Sequence, residues 1–317
     1  MERNRNMKIR TNPIFHINKF DYQFTPQGVS RGYIAPSTLR ELWFHTGTRC
    51  NLSCSFCLEG SKPGDNRIEA LTYDDAKGYI DEALTMGIEQ FSFTGGEPFV
   101  VKDFLKILNT ALNHHPCLVL TNATDPLIKK MPQIKLLLKK PNPLRIRVSL
   151  DYPDPEKHDA GRGKGNFQKA LHTLGELHKA GFEVSIARQQ QANEDIHAVN
   201  SSYYPYFASV GLPLTIPIIV FPDFLIPGSV NKEIPYVTEN CMTQYKDEKS
   251  RAEFMCSFSR MIVKKNGVPR VYACTLVDDD SDYDMGSSLK RSMEYSVRLK
   301  HHRCFSCFAY GASCSEK

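Results

Sequence analysis

From Glu41 to Phe221 the hydrophobic and polar positions follow a repeating rhythm. Apolar runs of strand length alternate with longer stretches whose apolar residues recur every three or four positions, the spacing of one helix face. Leu42-Trp43-Phe44-His45-Thr46 reads as a first buried strand, and Ile88 to Thr94, Leu118–Asn122 and Arg145–Asp151 as the next three. Phe182 to Ala187 and Leu214 to Phe221 complete six. Between them, Thr72-Tyr73-Asp74-Asp75 carries a Thr cap with an acid three residues on, the start of a helix whose apolar face is Ala76, Ile80, Ala83 and Leu84. Phe104 to Leu112 marks a second helix, and residues 126–140 a third interrupted by Pro132. Phe167, Ala170, Leu171, Leu174 and Leu177 line a fourth closed by Gly181, and residues 195–210 form a weaker one.

Strand–helix alternation six times over predicts an α/β fold with parallel pairing, a partial (β/α)6 TIM-like barrel rather than a full eight-fold one. In such sheets the chemistry sits at the C-terminal ends of the strands. Cys50 to Cys57 follows the first strand, and Gly95-Gly96-Glu97-Pro98 follows the second. Thr121 and Asn122 end the third, Ser149 and Asp151 the fourth, and Arg188 follows the fifth. These polar residues therefore converge on one mouth. The rhythm stops after the sixth strand, where Pro222, Pro227 and Pro235 mark a boundary. The expected organisation is an N-terminal extension over residues 1–40, a core over 41–230 and a small cysteine-rich C-terminal domain over 231–317.

Composition adds limits. The 317 residues are 41% hydrophobic and 24% charged, an ordinary globular balance. A net charge of +5 is too mild for a nucleic-acid binder. No apolar stretch reaches membrane-span length, and the polar start Met1-Glu2-Arg3-Asn4 is unlike a signal peptide. The expectation is a cytoplasmic protein with neither membrane nor nucleic-acid partner. Ten cysteines in a reducing compartment point to metal rather than disulfides. They fall into two groups, three at 50–57 and six between Cys241 and Cys314, with Cys117 alone.

Cys50-x3-Cys54-x2-Cys57 is short enough to wrap three thiolates around one corner of an iron–sulfur cube. Cubane clusters take soft thiolate ligands and usually four of them, so three leave one iron open. Three structural cysteines or part of a zinc site is the alternative reading of the spacing alone. Together with Gly95-Gly96-Glu97-Pro98 on the next unit, the loop resembles the radical S-adenosylmethionine (SAM) superfamily over residues 41 to 221. The resemblance implies a 4Fe-4S cluster on Cys50, Cys54 and Cys57, with SAM chelated to the fourth iron. It implies Phe56 near the adenine, Glu97 on the methionine ammonium beside Gly95, Gly96 and Pro98, and Ser149 with Asp151 at the ribose. Thr121 and Asn122 join the SAM site, Arg188 partners the carboxylate, and Val220 borders the adenine. His158-Asp159-Ala160-Gly161-Arg162-Gly163 looks like a stretch found in members with auxiliary clusters. The implied reaction is reductive cleavage of SAM to a 5′-deoxyadenosyl radical that abstracts hydrogen from substrate.

In the last third, Asn266-Gly267 between two β-rich runs signals a hairpin that brings Cys256 and Cys274 together at its open end. Cys304-Phe305-Ser306-Cys307 adds two more thiolates. The arrangement resembles the SPASM and Twitch auxiliary domains of radical SAM enzymes, and the cysteine number favours a single second 4Fe-4S cluster. The ligand choice is Cys256, Cys274, Cys304 and Cys307, with Cys314 an alternate and Cys241 open between ligand, buried thiol and substrate neighbour. Paired cysteines on hairpins also bind zinc, so a zinc-containing structural or binding protein is the reading of a different class. A fully ligated second cluster would accept an electron from a substrate radical, which implies an oxidation. The Asp278 to Asp284 run reads as a solvated loop, and His114-His115 and His301-His302 as surface pairs. Residues 1–40 are short for a leader-binding domain, so a small-molecule substrate is expected, with a peptide maturase as alternative and a flavodoxin or ferredoxin as electron donor. The catalytic acid or base has no candidate.

Overall fold

The protein is described by a computed structural model over residues 22–191, 193–222, 224 and 234–311. The boundary placed at residue 230, Pro227 and Cys314 lie outside the described residues.

Eight strands form one open sheet. In chain order they are β1 (Glu41–His45), β2 (Gln90–Thr94), β3 (Cys117–Thr121), β4 (Leu144–Ser149), β5 (Glu183–Gln189), β6 (Ile218–Phe221), β7 (Ser259–Lys265) and β8 (Val268–Tyr272). Their spatial order is β6-β5-β4-β3-β2-β1-β7-β8. The first six are parallel neighbours in sequence order, as the alternation predicts. The hairpin adds something the rhythm does not show. β7 pairs parallel to β1 on its free side, with Glu41 opposite Ser259 and Phe44 opposite Ile262. β8 then returns antiparallel to β7. Asn266 and Gly267 have φ of 52° and 74°, the left-handed pair of a two-residue turn that matches strand twist.

Alternation along β1 divides the two faces. Leu42 and Phe44 join Phe91, Phe93, Val119, Ile146, Val148 and Ile186 in a core shared with the helices. These helices are α1 (Tyr73–Leu84), α2 (Phe104–Ala111), α3 (Asp125–Leu136), α4 (Pro155–Arg162) and α5 (Asn166–Ala180). Trp43 points the other way, into a second core with Leu118, Met261, Val263, Tyr272 and the C-terminal cysteine segments. Both faces of the parallel sheet are thus covered. The predicted cap forms: Thr72 accepts from the Asp75 N–H, and Asp75 accepts from the Thr72 N–H at 2.8 Å. α3 runs through Pro132 instead of breaking there, anchored on either side by buried Leu127 and Ile134. Residues 195–210 split into two short helices, Ile196–Ser201 and Tyr204–Ser209. Tyr33–Ile34 pairs antiparallel with Val297–Arg298, fastening the early chain to the last third.

Candidate functional site

The loop after β1 is shaped by backbone hydrogen bonds to the loop after β2. Thr46 N–H donates to Thr94 O at 2.8 Å, Gly96 N–H to Gly47 O at 2.8 Å, and Glu97 N–H to Arg49 O at 3.1 Å. The two loops touch so closely that side chains do not fit between them. A Cβ on Gly96 would lie 2.4 Å from Arg49 O, and one on Gly95, at φ 138°, would lie 2.8 Å from Gly47 O. The glycine pair therefore serves first to seat the cysteine loop. Glu97 is fully buried and reaches the third strand end, accepting from Thr121 Oγ1 at 2.8 Å and Asn122 N–H at 2.8 Å. Burial pushes its carboxyl up to about 7, against the pull of those hydrogen bonds. Pro98 opens the buried turn Pro98–Val100, whose Phe99 N–H also donates to Glu97.

Cys50 is buried, whereas Cys54 and Cys57 are half-buried. N–H groups point at the sulfurs: Leu52 N–H to Cys50 Sγ at 3.4 Å, Ser61 N–H to Cys57 Sγ at 3.4 Å, and Asn122 Nδ2 to Cys50 Sγ at 3.8 Å. Burial pushes the Cys50 thiol up to about 11, with Glu97, Cys54 and Cys57 adding repulsion. A bound cationic centre reverses that penalty, and N–H donors stabilise metal-bound thiolate. Among the described residues no three cysteine sulfurs lie within 4.8 Å of one another.

The other expected residues distribute as follows. Phe56 packs on α4 so tightly that a Cβ at Gly161 would sit 2.2 Å from its ring. Arg162, which sequence reasoning assigned no role, stands 5.5 Å from the centre of that ring and hydrogen-bonds Asp151. Its charge pulls the Cys54 thiol back down against burial. The signal was present in the His-Asp-x-x-Arg-Gly stretch, whose Asp159 also holds the Phe167 N–H at 2.8 Å. Ser149 ends β4 half-buried. Arg188 pairs with Glu194 at 2.6 Å and Asn200 at 2.8 Å, while its Nη2 is buried without a partner. Val220 lies opposite Arg188 in the sheet. Cys50, Phe56, Gly95 to Pro98, Thr121, Asn122 and Asp151 are joined by these contacts. Arg188 is bound instead to Glu194 and Asn200, near the fifth strand end.

Residues 44–188 match the sequence model of the Radical SAM superfamily. That stretch of the chain is similar to a radical SAM domain. The chain is 32% identical over 160 residues to the mycofactocin maturase MftC of Mycolicibacterium smegmatis, a match covering 49% of this chain and 40% of that protein. It is 33% identical over 139 residues to the AdoMet-dependent heme synthase of Methanosarcina barkeri, covering 43% of this chain and 38% of that one. The chain thus aligns with well under half the length of these curated relatives. Streptococcus suis SuiB has a similar fold, with a TM-score of 0.58 at 14% identity over 81% of this chain and 66% of SuiB. SuiB has been solved bound to S-adenosylmethionine and to precursor peptide SuiA.

C-terminal to the matched residues, four cysteines gather in or against the second core. Cys256 lies in the helical turn before β7, Cys274 just after β8, and Cys304 and Cys307 on the helix His302–Tyr310. Burial raises Cys274 well above the usual thiol range, and Cys256, Cys307 and Cys304 each add repulsion. Burial likewise pushes Cys256 up to about 12 and Cys304 up to about 11. Cys241 contacts Thr238 Oγ1 at 3.1 Å instead. Among the described residues no helix is long and apolar enough to cross a membrane.

Arg303 links the two cysteine regions. Its guanidinium donates to Leu58 O, one residue past Cys57, and to Leu276 O, two past Cys274, both at 3.1 Å. Beside it His45, Glu59 and Asp278 place ligand atoms within 4.8 Å of one another. Burial opposes both charges of the His45–Glu59 pair at 3.2 Å, yet their attraction holds His45 above and Glu59 below their ordinary values. Asp278 is 5% exposed, so the acidic run is not the solvated loop expected. Asp280 and Asp282 pair with Lys300, and Asp284 with Arg270. His301 is also buried, bonded to Asp279 at 3.0 Å, where a surface pair was expected. A charge-rich sequence hid both, because the partners of these groups, Asp279 for His301 and Lys300 for Asp280 and Asp282, lie about twenty residues away.

Proposed function

We propose that the chain is a radical SAM enzyme that oxidises its substrate, with a second 4Fe-4S cluster on Cys256, Cys274, Cys304 and Cys307 as electron acceptor. The observation that carries the reading is the three-thiol loop of Cys50, Cys54 and Cys57, seated on Gly95-Gly96 at the strand ends with N–H donors on its sulfurs. When bound, the cluster and SAM supply a reductively generated 5′-deoxyadenosyl radical that takes hydrogen from the substrate. The protein's part is to hold and enclose. Asn122 and the Leu52 and Ser61 N–H groups steady the thiolates. Arg162 sets positive charge beside Cys54, and the Asp151–Arg162–Phe56 contact gives the SAM nucleoside a fixed wall. Ser149 and Val220 would complete that wall, and Arg188, held by Glu194 and Asn200, would keep only its unpartnered Nη2 for the carboxylate.

The substrate in this reading is a small molecule, in line with the relationship to the heme synthase; the electron donor is a flavodoxin or ferredoxin, and the setting is cytoplasmic. A peptide substrate is the second reading, favoured by the likeness to SuiB, which binds a precursor peptide. Anaerobically reconstituted protein is expected to hold about eight irons and, once reduced, to release 5′-deoxyadenosine from SAM. Cys54→Ala should abolish that release. Continued SAM cleavage by this variant, or tight zinc without iron in the wild type, would sink the proposal.

A further inference from the structure

Arg260 differs from two other fully buried arginines, Arg188 and Arg303. Arg188 has Glu194 at 2.6 Å, and Arg303 has Asp279 at 3.9 Å. Arg260, on β7 with no exposure, has only main-chain oxygens: Cys256 O and Ser259 O at 2.7 Å on Nη1, and Ser292 O at 3.0 Å on Nη2. Its Nε is buried and unpartnered. Among the described residues no carboxylate pairs with it. A guanidinium stays charged in proteins, and an uncompensated buried charge is strongly unfavourable. The groups beside it that become anionic on binding metal are thiols: Nη1 bonds the carbonyl of Cys256, one of the four gathered cysteines.

We propose that Arg260 is the built-in counter-charge of a four-thiolate iron–sulfur cluster on Cys256, Cys274, Cys304 and Cys307, and that it raises that cluster's reduction potential. This rests on the second-cluster reading above. Four thiolates give such a site net negative charge, and one added electron makes it more negative. A fixed cation stabilises the reduced form more than the oxidised form, the more so where solvent is excluded. The cluster becomes a better one-electron acceptor. Arg260 acts as a positioning and tuning charge, bonded to the carbonyl of one ligand residue, and need touch neither substrate nor SAM. The same charge accounts for an arginine kept where an apolar residue would pack without desolvation cost.

The test is a redox titration of the reconstituted full-length protein followed by electron paramagnetic resonance, with a dithionite-type reductant supplying one electron per cluster. Added SAM marks the Cys50 centre by changing its signal, so the two centres are read separately. Arg260→Met and Arg260→Gln remove the charge, Gln keeping N–H donors for the carbonyls; Arg260→Lys keeps the charge. At the wild-type midpoint of the second centre the neutral variants should be at least about tenfold less reduced, a shift of about 59 mV for one electron. Arg260→Lys should stay within about threefold, and the Cys50 centre should not move. Loss of the second cluster in both neutral variants with retention in Arg260→Lys supports the same assignment. Neutral variants titrating like wild type, equal shifts of both centres, or loss of the cluster in Arg260→Lys as well would overturn it. A wild type with no second reducible centre overturns the cluster reading itself, and Arg260's role with it.

Discussion

The two sulfur-bearing regions are built on opposite plans. The Cys50–Cys57 loop takes its shape from main chain, through Thr46, Gly47 and Arg49 bonded to the Gly95–Glu97 loop, and leaves two of its thiols half exposed. The second set is collected from three separate elements and packed on a core of Trp43, Met261, Tyr272 and Tyr283, with Cys256 and Cys304 buried and Cys274 and Cys307 half-buried. The first plan fixes a scaffold through main chain. The second gathers side chains from distant segments and sets the buried Arg260 and Arg303 beside them. In the proposed function, the first site must admit a reactant and the second need only pass an electron.

The sharpest way to break the comparison is Cys274→Ala. The variant is expected to lose about half of the roughly eight irons and all net substrate oxidation, yet still release 5′-deoxyadenosine. Iron analysis with chromatographic assay of that product checks it; loss of SAM cleavage as well would mean that the two regions are one functional unit. Next in size is Gly96→Ala, which drives a Cβ to 2.4 Å from Arg49 O. It should cost about 1–3 kcal/mol in denaturant unfolding and loosen iron at the first site only. Gly78→Ala, in α1 with open space around its Cβ, is the contrast and should stabilise by up to about 1 kcal/mol. Smaller than the effect of Gly96→Ala is that at Asp75, which caps α1 and accepts from Lys264 of β7 at 2.6 Å. Burial works against its charge, but the Lys264 ammonium and the Thr72 N–H hold its carboxyl below the usual value of 3.8. That stability is present above the unfolded value and lost as pH falls through the folded one. Asp75→Asn should therefore cost about 1–2 kcal/mol at neutral pH, and the gap in melting temperature should begin to narrow below about pH 4.

The six-strand rhythm was legible because parallel strands and amphipathic helices obey periods that a sequence displays directly. β1 to β5 fall within two residues of the expected strands, and the Thr72 cap and Asn266-Gly267 turn form as their chemistry requires. The sixth strand is shorter, Ile218–Phe221, because Pro213 and Pro217 remove N–H donors from the stretch before it. Three things were not legible. Pairing of β7 with β1 depends on which sheet edge is free, and no local pattern records that. Charge partners far apart in sequence, such as Arg303 with Leu58 O or His45 with Glu59 and Asp278, give no periodic signal. The work of Gly95 and Gly96 was half visible: their freedom was plain, but not that the neighbour pressing on them is the cysteine loop.

The parallel pairing of Glu41 with Ser259 sets an order of events for the growing chain. As the protein leaves the ribosome, β2 soon covers one edge of β1. The other edge stays bare until β7 has emerged. For all that interval the strand leading into the cysteine loop is a free template for other chains. A chain interrupted after β6 would keep every residue of the first loop and still expose that edge. The hairpin is thus a lock on β1, supplied by an element translated long after it.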